Sequence, residues 1–195
     1  MPLSEADTSR KFIIPKLQAS GWDDDPHSIA EQRSITDGRI VPVGKGFVRK
    51  PPKRVDYLLR YERNFPIAVV EAKAAWKTAG DGMQQAKDYA EMLGLKFAYA
   101  TNGREIIEFD YFTGKETPIS AYPTPADLWV RYRAGKGLAD DTVAARLTTP
   151  MNHTVGKGER YYQEIAINRA VQAVLQGKRR ALLTMATGTG KTFSG

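Results

Sequence analysis

Two apolar runs close together dominate the pattern of this chain. Val55–Tyr61 and Ile67–Ala72 are rich in β-branched and aromatic residues, and a short polar stretch, Glu62–Pro66, separates them. The spacing predicts a β-hairpin with a four- or five-residue turn. Upstream, Phe12, Ile13 and Leu17 give Ser4–Ser20 an apolar side, with Ser4 and Asp7 as a capping pair. This predicts a helix that Pro15 kinks or divides and that Gly21-Trp22 ends, ahead of a turn at Asp23–Pro26. Glu31–Val43 reads as the end of a short helix followed by a strand, with a turn at Asp37-Gly38.

Downstream, Ala79–Gly82 is a break, and Met83, Ala86, Ala90 and Leu93 recur at helical spacing. Met83–Leu93 is therefore an expected helix, capped by Asp81 with Gln84. Phe97–Thr101 reads as a buried strand, Asn102-Gly103 as a tight turn and Glu105–Asp110 as the return strand. Tyr122–Gly158 is rich in Pro, Gly and Thr and reads as a linker with one helix, Pro125–Ala134. Tyr161–Gln176 is a further helix, and Ala181–Met185 a short apolar strand. The expected fold class is α/β: a mixed β-sheet flanked by helices in residues 1–120, a linker over 121–158, and the start of a second domain in 159–195.

Composition narrows the chemistry. The 195 residues are 42% hydrophobic and 26% charged, and no apolar run approaches a membrane span. The polar, acidic N-terminus is no signal peptide, so a cytoplasmic protein with no membrane partner is expected. There is no cysteine, and there are only two histidines, His27 and His153. Thiolate sites are excluded, and zinc or His-base hydrolases are disfavoured. A metal would have oxygen ligands, which suits Mg²⁺ or Mn²⁺. The net charge of +7 suits a polyanion.

Three charges interrupt the hairpin: Asp56, Glu71 and Lys73. Strand alternation puts Glu71 and Lys73 on one side, with Ala72 pointing away. Asp56 opens the first strand and Glu71 closes the second, so both carboxylates meet at the open end. Asp56 and Glu71, with the Ala72 carbonyl, can hold a divalent metal beside a phosphodiester, and Lys73 can orient a water or stabilise developing charge. Without metal the two carboxylates repel, so one should titrate upward. Gln85 and Tyr89 lie one turn apart on the next helix and can position Lys73 or the DNA backbone. The basic stretch Gly44–Arg54 reads as a flexible loop whose Lys45, Arg49, Lys50, Lys53 and Arg54 are candidate DNA contacts.

Near the end, Gly188-Thr189-Gly190-Lys191-Thr192 follows an apolar run and reads as a phosphate-binding loop for ATP. The chain stops three residues past Thr192. The expectation is that it is the front of a longer protein and cannot itself hydrolyse ATP.

Asp56…Glu71-Ala72-Lys73 resembles the PD-(D/E)xK nuclease signature, and Gln85-x-x-x-Tyr89 resembles the Q-x-x-x-Y motif of its RecB-like branch. Gln163, after Tyr161-Tyr162, resembles the adenine-reading motif of superfamily 2 helicases. A PD-(D/E)xK domain ahead of a helicase-type motor resembles the R subunit of type I restriction enzymes, as do Glu5–Trp22 and the Ala100–Gly103 hairpin. This resemblance implies a Mg²⁺-dependent endonuclease on double-stranded DNA, an ATP-driven translocating motor, and partner methylation (M) and specificity (S) subunits. It also implies an additional acid near the N-terminal helix, for which Glu5 and Glu31 are both candidates. Two other classes fit the same residues: a non-catalytic DNA-binding or docking module, and a motor accessory domain whose hairpin charges are structural.

Overall fold

The computed structural model describes residues 4–35, 40–43, 46–49, 52–138, 140–149 and 161–184. The chain opens with a helical hook: α1 (Glu5–Thr8), a π-helical turn (Ser9–Ile13) and α2 (Ile14–Ala19). Ser4 caps it, its hydroxyl oxygen accepting from Asp7 N–H at 3.1 Å. Pro15 sits in the first turn of α2, directly after the π-helical turn that divides the hook.

Strands follow in the order β1 (Ser28–Ile35), β2 (Ile40–Val43), β3 (Gly46–Arg49), β4 (Lys53–Glu62) and β5 (Phe65–Ala72). A 3₁₀ turn (Ala79–Gly82) leads into α3 (Met83–Leu93), then β6 (Phe97–Thr101), β7 (Ile106–Asp110) and β8 (Lys115–Ile119). Helices α4 (Pro125–Lys136), α5 (Asp141–Thr148) and α6 (Tyr161–Leu175) complete the described elements.

Six strands form one mixed sheet in the order β1-β4-β5-β6-β7-β8. Only β5 and β6 pair in parallel, because α3 provides the crossover that a parallel pair needs. At the sheet's centre, β5 is buried on both faces, which explains its near-continuous apolar sequence. Its residues alternate. Val69 packs with Ala86, Ala90 and Leu93 of α3, while Val70 and Ala72 join Ile13, Leu17, Trp22 and Trp129 on the opposite face. The helical hook and α4 therefore cover one face and α3 the other.

Several expectations change. The hairpin turn is tighter than expected: Glu62 pairs with Phe65, leaving Arg63 and Asn64 as the turn. Glu31 lies in strand β1, not at a helix end, because pairing with β4 overrides its local helix preference. The described part of the basic stretch lies in strands, Gly46–Arg49 in β3 and Lys53-Arg54 in β4, rather than in a loop. Val41 opposite Val48 closes a two-stranded ribbon, β2-β3, and Lys53 opens β4. Asp81 is not the cap of α3. Thr78 forms a capping box with Asp81 at the 3₁₀ turn that precedes it. The stretch read as a linker contains α5 as well as α4, and Leu128, Trp129, Ala144 and Leu147 lie in the main core. Residues 181–184 do not form a strand, and Leu182 and Leu183 are exposed. No described strand lies beside them to satisfy their backbone.

Candidate active site

The open end of the β4-β5 hairpin carries the charges, and three constraints hold them there. Asp56 Oδ2 accepts from Ala72 N–H at 2.8 Å, clamping the two strands together. Lys73 N–H donates to Thr101 C=O at 2.8 Å, extending the β5-β6 ladder past the end of β5. Ala75 N–H donates to the buried Thr8 hydroxyl, which ties the segment after Lys73 to the helical hook.

Within this frame Glu71 is almost wholly buried, at 3% exposure. Its Oε1 accepts from Lys73 Nζ at 2.8 Å. Its Oε2 is also buried and has no hydrogen-bond partner. Burial pushes the Glu71 carboxyl up to about 7; the Lys73 ammonium pulls it back and the Asp56 charge pushes it further up. One carboxyl therefore does titrate upward, but desolvation contributes more than repulsion. Burial alone would depress Lys73, yet its pairing with Glu71 holds it above its ordinary range.

The Lys73 ammonium also donates to Gln85 Oε1 at 3.1 Å, and Gln85 Nε2 donates to Tyr89 Oη at 2.7 Å. Of the two roles expected for Gln85 and Tyr89, this geometry matches positioning of Lys73. Asp56, Glu71, Ala72, Lys73, Gln85 and Tyr89 thus come together. Lys53 lies nearby, its ammonium 5.9 Å from the Tyr89 ring centre, and both Lys53 and Arg54 are exposed. Arg49 is in β3. Lys45, Lys50 and the loop residues Gly188–Thr192 lie outside the described residues. Gln163 is in the first turn of α6.

Two residues that the sequence did not single out belong to the site. Gln32 sits in β1 between the paired positions Glu31↔Tyr57 and Arg33↔Val55, facing Asp56. Its φ is +49°, in the left-handed region that non-glycine residues rarely occupy. From there its Nε2 donates to Asp56 Oδ1 at 3.1 Å. Gly82 is the second. A Cβ there would stand 3.2 Å from Glu71 Cγ and 3.2 Å from Lys73 Cε. The 3₁₀ turn presses against the acid–ammonium pair so closely that only glycine fits without displacement.

The donors fit a hard cation: two carboxylates and a backbone carbonyl, with one buried carboxylate oxygen lacking a partner. Among the described residues no group of three or more His, Cys, Asp and Glu side chains converges. The Glu5 charge contributes to the rise of both Lys73 and Tyr57, and Glu31 contributes to that of Tyr57.

Known proteins resemble this chain over different parts of its length. Residues 157–194 match the family model described as "Type III restriction enzyme, res subunit". The chain is 36% identical over 198 residues to the type I restriction enzyme EcoAI endonuclease subunit of Escherichia coli, covering 98% of this chain and 24% of that protein. A solved fragment assigned to the HsdR subunit of a type I restriction enzyme from Vibrio vulnificus YJ016 superposes with a TM-score of 0.88 at 56% identity. That match covers all of this chain and 37% of the other. The chain thus spans about a quarter of one of these relatives and somewhat more than a third of the other.

Proposed function

This chain belongs to the R-subunit family of type I restriction enzymes, and from that premise we propose that its sheet unit is the PD-(D/E)xK-type endonuclease of such an enzyme, hydrolysing phosphodiester bonds of double-stranded DNA with Mg²⁺. The proposed division is a nuclease in 1–120, a linker over 121–158 that carries α4 and α5, and the start of an ATP-binding motor in 159–195. In the whole protein the motor translocates DNA with ATP, bound through Gln163 and Gly188–Thr192, and the M and S subunits are partners in the cytoplasm.

The observation that carries this reading is the hairpin end itself. An acid, an ammonium and a second acid share one spot, and the buried acid has a free oxygen lone pair set. A purely structural ion pair would not leave one carboxylate oxygen buried and unsatisfied beside another carboxylate. Asp56, Glu71 and the Ala72 carbonyl would hold Mg²⁺. When bound, the ion lowers the pKa of water and offsets charge on the phosphoryl oxygens.

The protein's own groups do the rest. Glu71 and Gln85 fix the Lys73 ammonium from two sides, so it meets the scissile phosphate already oriented. Tyr89 fixes Gln85 in turn. Gln32 and the Ala72 N–H each hold one oxygen of Asp56 and set its plane. Lys53 and Arg54 at the head of β4 supply positive charge where the DNA backbone approaches.

The test is nicking of supercoiled plasmid in Mg²⁺ or Mn²⁺ by the chain and by the full-length, partner-bound protein, beside Lys73→Ala and Asp56→Ala. Metal-dependent nicking should fall at least about 10²-fold in both variants. Undiminished cleavage by the partner-bound Lys73→Ala protein would refute the assignment.

A further inference from the structure

A second polar site lies at the opposite end of β5. There, Phe65–Ile67, the segment after α3, the C-terminal part of α4 and one face of α6 enclose a cavity of about 280 Å³. Its polar lining is one-sided. Lys96, Lys136 and Arg169 all reach it, from three different elements, and Glu91 is the single acid. Glu91 is already engaged, accepting from the Tyr111 hydroxyl at 3.4 Å. None of the three cations has a carboxylate within ion-pair distance among the described residues.

A fourth group points the same way. Gln172 is 8% exposed and lines the cavity, and its Nε2 is buried with no acceptor. The cations are not simply extended into solvent. Lys136 rests over the Tyr132 ring at 5.7 Å, and Lys96 lies between Tyr111 and Phe112 at 5.8 and 5.9 Å. Arg169 lies against Gly94: a Cβ added there would come within 2.7 Å of its Nη2. Burial first, and then the charges of Lys96 and Arg169, depress the Lys136 ammonium. Three like charges brought together against a single carboxylate are unfavourable unless something further anionic joins them. A buried amide donor without an acceptor calls for the same partner.

We propose that this cavity is a phosphoryl-anion site, in which Lys96, Lys136, Arg169 and the Gln172 amide donate to the oxygens of one phosphate group. Three cations against one carboxylate leave two positive charges, which a phosphate dianion neutralises. The ligand bridges separate parts of the molecule, since Arg169 and Gln172 are on α6 while Lys96 directly precedes β6 of the sheet and Lys136 ends α4. Occupancy therefore ties α6, the helix that carries Gln163, to the nuclease sheet. The site is independent of the catalytic reading, because no residue of the hairpin end takes part.

The test uses the 195-residue chain with inorganic phosphate as the probe, against chloride at equal ionic strength. At ten times its Kd, phosphate should raise Tm by about 3–6 °C and slow amide exchange in α6. Arg169→Gln and Gln172→Leu should each lose most of this shift. Arg169 is exposed, so its variant retains the fold by circular dichroism. A short DNA duplex distinguishes the source of the phosphate. Weaker duplex binding in both variants, with phosphate as competitor, identifies a DNA backbone phosphate; unchanged duplex binding identifies a free phosphoryl anion. A phosphate shift no larger than that of chloride, or one undiminished in both variants, overturns the proposal.

Discussion

Glu71→Gln, in chelator, isolates the tension at the hairpin end. The Glu71 carboxyl is pushed from an ordinary 4.5 up to about 7 in the folded chain. The folded state therefore holds this proton more tightly than the unfolded state between those values. Stability from this group is fully present below about pH 4.5 and is lost as pH rises through about 7. A difference of that size corresponds to about 3 kcal/mol, and Glu71 is too buried for solvent to screen it away. Lys73 remains charged throughout this window, since its pairing holds it above its ordinary range. The uncharged glutamine has no such dependence. Measured by thermal unfolding from pH 5 to pH 8.5, the variant should gain on the parent by about 5–10 °C as pH rises, since roughly 2.5 kcal/mol of the effect falls above pH 5 and a chain of this size shifts about 2–4 °C per kcal/mol. Saturating Mn²⁺ should restore the parent at high pH and leave the variant unmoved, because a cation favours the ionised carboxylate. Parallel pH profiles for the two proteins would refute the reasoning, since they would mean that Glu71 is no less comfortable ionised in the fold than out of it.

Further outcomes follow from the same geometry. Gly82→Ala should fold normally but displace Glu71 and Lys73 by a few tenths of an ångström, lowering metal-dependent nicking on the order of tenfold; normal nicking rates would show that the pair tolerates the shift. Gln32→Gly relieves the left-handed backbone but removes the amide held on Asp56, so the variant should be as stable as the parent while its Mn²⁺ midpoint, read by thermal shift, rises about tenfold or more. Arg131→Met should destabilise by about 3 kcal/mol in urea unfolding. It leaves Glu108 and Asp110 without the guanidinium that bonds both at 2.7–2.9 Å.

How much of this was legible in the sequence depended on burial. β5, α3 and β6 were readable because each is buried over a continuous run or a clean helical stripe. β1 and β8 were not. Both are edge strands with largely exposed side chains, so neither shows an apolar alternation, and β8 even contains Pro118. Their strand character comes from pairing with β4 and β7. The site divided in the same way. Asp56, Glu71 and Lys73 were visible because charges stood inside apolar runs, and Gln85 and Tyr89 because they lie one turn apart in a spacing that resembles the Q-x-x-x-Y motif. Gln32 left no local trace, since its contribution rests on a register across 24 residues and on an unusual φ. Gly82 had one: the Gly80-Asp81-Gly82 break offered two glycines, and the approach to Lys73 explains the second.

The two polar clusters share a logic that the position of β5 makes possible. A carboxylate at 3% exposure is tolerated at one end of this strand because everything around it is fixed independently. Val69 and Val70 are fully buried, the Ala72 N–H is held by Asp56, and the Lys73 N–H is held by Thr101. The hairpin cannot twist Glu71 into water without breaking the sheet's central pairings. At the other end, Lys96 and Lys136 are anchored on aromatic rings and cannot easily separate. In both places the surrounding fold is stable enough to hold like charges together at some cost. A divalent cation at the carboxylate end and a phosphate at the ammonium end would each turn that cost into binding affinity. The same core that makes β5 legible in the sequence therefore keeps both clusters assembled before any ligand arrives.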